Sequence, residues 1–167
     1  MSTRGCVAVG IPLKWEGLYN HYDSYPGALG SDLWKILVHQ GDLADFAARL
    51  LACDSWAGFL AAELGSDYKK NLDCAHITSG KPDPLFIEWV YIIDPERGML
   101  HILEHKDVSP DGCWRNQRHP GGPVTLPDRT VDYGHCRYKH MLAASLKLDG
   151  DEPDWGKIGC DEKDQEG

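Results

Sequence analysis

The chain has 167 residues, six cysteines and a formal charge of −9, a length suited to one domain that buries most of its apolar surface without disulfides. No Cys-x-x-Cys pair and no apolar leader are present, so a reduced, cytoplasmic setting is expected rather than a secreted disulfide scaffold. Apolar runs such as Phe59-Leu60-Ala61-Ala62 and Val90-Tyr91-Ile92-Ile93 are far too short for a membrane span.

Residues 4–10 read as a strand, 11–14 as a turn and 15–22 as the returning strand of a hairpin. Pro26, Gly27 and Gly30 break that pattern, and Ser31 is a suitable cap for a helix over 32–38 that Gly41 ends. Asp42 can cap a second helix, in which Leu43, Phe46, Ala47, Leu50 and Leu51 recur at the spacing of one buried face. Asp54 or Ser55 can cap a third over 56–64, closed by Gly65, and residues 66–84 read as a loop.

Residues 86–94 and 99–105 form a second hairpin around Pro95-Glu96-Arg97-Gly98, with Ile87, Trp89, Tyr91 and Ile93 on one face. A Gly- and Pro-rich stretch covers 109–127. Residues 138–148 form a last helix or strand, which periodicity does not decide. This order predicts one α+β domain over 1–148, a mainly antiparallel sheet with two or three helices packed on it. Residues 149–167 carry eight acids against two lysines and read as a solvated, mobile tail, with Trp155 and Ile158 as anchors.

The densest polar stretch is Asn20-His21-Tyr22-Asp23-Ser24-Tyr25-Pro26. On an extended strand His21 and Asp23 share a side, where the carboxylate would fix the tautomer of the imidazole and raise its basicity. Ser24 would be a neighbouring hydroxyl, brought inward only if the turn rotates it. A purely structural account also stands, since Asp, Ser and Pro before a helix make turns and a tyrosine can bury its ring with its hydroxyl satisfied. At the chain start Met1 precedes the small Ser2, so removal of Met1 is expected to leave a serine whose own α-amine can serve as base.

Ser2-Thr3-Arg4-Gly5, the Asn-His-x-Asp-Ser-Tyr-Pro core and the strand Trp89-Val90-Tyr91-Ile92-Ile93-Asp94 resemble a family of small, uncharacterised proteins. More distantly, a nucleophile near the start of a strand with an arginine beside it resembles the N-terminal nucleophile hydrolases, glutamine amidotransferase domains among them. The resemblance implies a hydrolase or amidotransferase-like enzyme acting on a small polar substrate. His21 would be general base, Asp23 its orienting partner, and Ser2 or Ser24 the nucleophile. Arg4, Asn20, Tyr22 and Tyr25 would line the pocket, with Arg4 holding an anionic group and Asn20 donating to an oxyanion.

Arg115, Arg118, Arg129, Arg137 and Lys139 make a basic stretch in an otherwise acidic chain. It fits either a cationic surface paired with the acidic tail or, with Arg115 and Arg118, the second wall of a site that captures a nucleotide-like or other anionic molecule. Nucleic acid is not an expected partner, and the sequence does not indicate an oligomeric state. Cys113, His119, Cys136 and His140, with His135, Cys74 and His76 nearby, have the ligand types for structural zinc. Their loose spacing favours free thiols and imidazoles, and no cofactor is expected.

Overall fold

A computed structural model describes residues 3–65, 76–79, 87–106, 124–125, 130–132 and 139–158. Strands β1 (Gly5–Ile11) and β2 (Lys14–Asn20) form the first hairpin, with Gly5 opposite Asn20 and Ile11 opposite Lys14. A π-helical turn over Pro26–Gly30 runs directly into α1 (Ser31–Leu37). Because that turn delivers the chain already helical, with Gly30 at φ −60°, Ser31 is the first residue of α1 rather than its cap.

Helix α2 (Leu43–Leu51) is capped as its sequence predicts, the Asp45 amide donating to Asp42 Oδ1 at 3.0 Å. Helix α3 (Trp56–Leu64) is capped by Ser55, whose Oγ accepts from the Gly58 amide at 3.0 Å, and it ends on Gly65 at φ +70°. Arg49 ties α2 to α3 by pairing with both Asp45 and Glu63.

The remaining strands are β3 (His76–Thr78), β4 (Trp89–Asp94), β5 (Met99–Lys106), β6 (Val124–Thr125), β7 (Thr130–Asp132) and β8 (Lys139–Lys147). They join β1 and β2 in one sheet of order β3-β2-β1-β4-β5-β8-β7-β6. The α+β class is as expected, but the sheet is mixed. Most pairings are antiparallel, while β1 and β4 run parallel with Gly5 opposite Trp89 and Val9 opposite Ile93. The two hairpins are thus joined along their first strands, a long-range contact that no local pattern announces. The ambiguous C-terminal segment resolves as a strand, β8, which pairs the edge of β5 that a helix here would leave open.

Helices α1–α3 cover one face of this sheet. Val7, Leu18, Tyr91, Ile93, Leu100 and Ile102 meet Leu33, Trp34, Phe46, Leu50, Trp56 and Phe59 there. Phe59 is the hub, edge-on to Phe46 at 5.2 Å between ring centroids and stacked on Trp56 at 5.3 Å. Trp155 and Ile158, beyond β8, pack against the same cluster, with Trp155 edge-on to Trp34.

The opposite face is buried as well, through Cys6, Ala8, Trp15, Tyr19, Val90, Ile92 and Leu103. Strand β4 accordingly reads as an unbroken apolar run rather than an alternation, the pattern of a strand covered on both sides.

Candidate functional site

Strand β2 ends at Asn20, two residues before the expected point, so His21 and Asp23 do not share the side of a strand. Asp23 instead takes φ +49°, the left-handed conformation that a non-glycine residue adopts at a cost of order 1–3 kcal/mol. The reversal turns Ser24 inward until it is fully buried. Next comes the π-helical turn, closed by the Ala28 amide on the Tyr25 carbonyl and the Leu29 amide on the Asp23 carbonyl.

This irregular segment is held from beneath. The Ser24 amide donates to the Thr3 carbonyl at 3.1 Å, and the Ser24 carbonyl accepts from the Tyr91 hydroxyl at 2.6 Å. Asn20 Nδ2 donates to the Tyr22 carbonyl at 2.6 Å and to Ser24 Oγ at 2.9 Å. The Ser24 hydroxyl itself lies 3.4 Å from the Asn20 carbonyl and 3.5 Å from that of Tyr22. Burial pushes the Tyr91 phenol far up, which keeps it protonated and donating. Gly5 packs so closely that a Cβ there would stand 2.5 Å from that of Ser24.

The side chains above this base face outward. Tyr22 is 65% and Tyr25 47% exposed, and Asp23 is exposed too, whereas His21 is half-buried with Nδ1 2.7 Å from the Tyr19 hydroxyl. The His21 ring also meets the Tyr22 ring edge-on at 4.4 Å. The Asp23 carboxylate makes no hydrogen bond or ion pair among the described residues, so the described geometry contains no His21–Asp23–Ser24 relay. Arg4 is half-buried at the entry to β1, its carbonyl accepting from the Glu88 and Trp89 amides.

Ser2, Arg115 and Arg118 lie outside the described residues, as do Cys74, Cys113, His119, His135 and Cys136. Two of the candidate zinc ligands are described and face backbone. His76 donates to the Cys53 carbonyl at 2.8 Å, and buried His140 to that of Ile87 at 3.2 Å. No group of three or more His, Cys, Asp or Glu side chains is arranged to hold a metal among the described residues. Cys6 and Cys53 are free thiols, each pushed up by burial, Cys6 far more strongly. No described helix is long and apolar enough to cross a membrane.

Sequence reasoning missed a second polar assembly, Asp94 with His101 and Ser145 on three different strands. A histidine and a serine in two strand patterns were its only signals, and neither is distinctive alone. The described geometry defines a mixed-sheet α+β protein with an outward-facing polar turn at one end of its central strands. No protein-family model matches the chain, and no curated protein or solved structure matches it either.

Proposed function

We propose that residues 20–25 form a recognition surface for a small polar molecule with a planar ring, nucleotide-like in character, which the protein captures without altering it. The observation that carries this reading is the contrast between the rigid base and the open face. A left-handed Asp23 and a π-helical turn stand back to back, secured by half-buried Asn20 and buried Ser24 and Tyr91, while Tyr22 and Tyr25 stay in solvent. Backbone strain and π-helical turns concentrate where a structure is shaped for binding or reaction. Stacking of a base on an aromatic side chain contributes about 1–3 kcal/mol. Arg4, which precedes Gly5 opposite Asn20, supplies a cation at this end of the hairpin for an anionic substituent, and the free thiols fit a reduced, cytoplasmic setting.

Calorimetric titration with nucleosides, nucleoside phosphates and inorganic phosphate tests the reading. Binding of a ring-bearing ligand that weakens about tenfold in each of Tyr22→Ala and Tyr25→Ala supports it, since tenfold corresponds to about 1.4 kcal/mol. Failure of the whole panel to bind, or affinity indifferent to both substitutions, refutes it.

A second reading, the hydrolase or amidotransferase-like enzyme, is favoured by the half-buried His21 held at 2.7 Å from Tyr19. In that scheme His21 is general base beside Asp23, and Arg4 holds the anionic end of the substrate. Ser2 is the better nucleophile because the Ser24 hydroxyl is enclosed. Asn20 would have to exchange one of its present partners to serve an oxyanion. Recovery of a cleaved ligand, abolished by His21→Ala, selects this reading over capture.

A further inference from the structure

A second constellation stands near the opposite end of β4 from the polar turn, on the face away from the helices. Asp94 closes β4, and on the neighbouring strand Ile92 lies opposite His101, which places Asp94 on the diagonal to that histidine. His101 in turn lies directly opposite Ser145 of β8. The three side chains form one continuous hydrogen-bonded chain, with His101 Nε2 3.1 Å from Asp94 Oδ2 and His101 Nδ1 2.8 Å from Ser145 Oγ.

Elementary bookkeeping assigns the protons. An ionised Asp94 can only accept, so Nε2 carries the imidazole hydrogen. Nδ1 is then the acceptor, and the Ser145 hydroxyl donates to it. Asp94 and His101 are buried while Ser145 is exposed, so the chain runs from a sheltered carboxylate to a hydroxyl open to solvent. Arg97 holds the carboxylate on its other side, its amide 3.3 Å from Oδ1 and one guanidinium nitrogen 3.2 Å from Oδ2.

Lys147 lies two residues beyond Ser145 on β8, on the same side of the strand and about 7 Å along it. With Arg97 against Asp94, two cations flank the relay, which suits a small molecule that carries an anionic group.

We propose that Ser145, His101 and Asp94 form a nucleophilic relay that hydrolyses small carboxylic esters, the anionic end of the substrate lying against Arg97 and Lys147. Ser145 Oγ attacks the acyl carbon while its proton passes to His101 Nδ1. The carbonyl electron pair shifts to oxygen and then returns as the bond to the alcohol breaks. His101 gives its proton to the departing alkoxide, leaving an ester on Ser145, and water repeats the sequence to release the acid. The Asp94 carboxylate balances the imidazolium formed in each half. The ring nitrogens exchange the places they hold in the familiar serine hydrolases, but the roles are the same, and roles define such a relay. This inference is independent of the ligand surface at residues 20–25.

A fluorophosphonate probe, which reacts only with activated serines, tests it directly, with peptide mass mapping to locate the adduct. The expected result is one adduct on Ser145 of native protein, absent from Ser145→Ala and from urea-unfolded wild-type protein. His101→Gln should slow labelling roughly a hundredfold, the ordinary contribution of a positioned base. Thermal melting accompanies each variant. If His101→Gln does not fold, Asp94→Asn takes its place, and the native-versus-unfolded comparison decides without any variant. No adduct, an adduct elsewhere, or labelling of Ser145 at the same rate in His101→Gln or in unfolded protein overturns the proposal.

Discussion

The Tyr91 hydroxyl donates to the Ser24 carbonyl at 2.6 Å, a buried bond linking the middle of β4 to the polar turn 67 residues earlier. It stabilises the turn from the core side, so the outward presentation of Tyr22 and Tyr25 depends on a residue that solvent does not reach. Tyr91→Phe keeps the ring and removes the donor, leaving a buried carbonyl unsatisfied. The expected loss is about 1–3 kcal/mol, or roughly 2–12 °C in Tm for a chain of this size, read by calorimetry.

Gly5 permits the close approach of β1 to that turn. Gly5→Ala would set a Cβ 2.5 Å from Ser24 Cβ and 2.7 Å from its Oγ, with the Trp89 carbonyl 3.2 Å away. Overpacking of this kind costs about 1–3 kcal/mol. Gly41→Ala is the matched control, since nothing lies within 4 Å of its added methyl. Urea midpoints should fall for the first variant and move by no more than about 0.5 kcal/mol equivalent for the second.

The helical layer rests on Phe59, which Trp56 stacks upon and Phe46 meets edge-on. Phe59→Ala should cost about 3–5 kcal/mol by combined transfer and cavity terms. Removing either observed cap, by Asp42→Ala or Ser55→Ala, should cost about 0.5–2 kcal/mol. A denaturation series that ranks a cap above Phe59 would contradict this account of the core.

Asp94 gives stability a specific acid dependence. Burial pushes its carboxyl up, but the hydrogen bonds from His101 and from the side chain and amide of Arg97, with the charge of Arg97, outweigh that and leave it below the usual carboxylate range. As pH falls the unfolded chain therefore takes up this proton first. The contribution of Asp94 is complete above the unfolded value of about 3.9 and is lost as pH falls through the lower folded value. The stability gap between wild-type protein and Asp94→Asn, measured by urea unfolding, should narrow steadily from about pH 5 to pH 2. A gap that widens on acidification would reverse the sign of this linkage.

Burial also predicts thiol behaviour. Cys6 is fully buried and its thiol is held protonated, so it should resist alkylation until the protein unfolds, whereas half-buried Cys53 should react first but slowly. Timed alkylation with mass mapping checks the order, and early modification of Cys6 would show that the second face of the sheet opens readily.

Much of this protein was determined locally and is legible in the residues themselves. The α2 stripe of Leu43, Phe46, Ala47 and Leu50, the Asp42 cap, the Gly65 stop and both hairpin turns all act within about four residues, the range over which periodicity and capping operate. The density of polar groups at residues 20–25 likewise marks the candidate surface. What only the tertiary structure decided is long-range. The parallel pairing of β1 with β4 joins strands that are each satisfied locally by a hairpin partner, and β8 becomes a strand only because β5 offers it an edge. The inward turn of Ser24 depends on Tyr91 and Gly5, and the Ser145–His101 bond spans 44 positions. Strand edges have no sequence address for their partners, because backbone hydrogen bonding is common to nearly every residue, so side chains that meet across a sheet become a site only once packing has chosen which edges join.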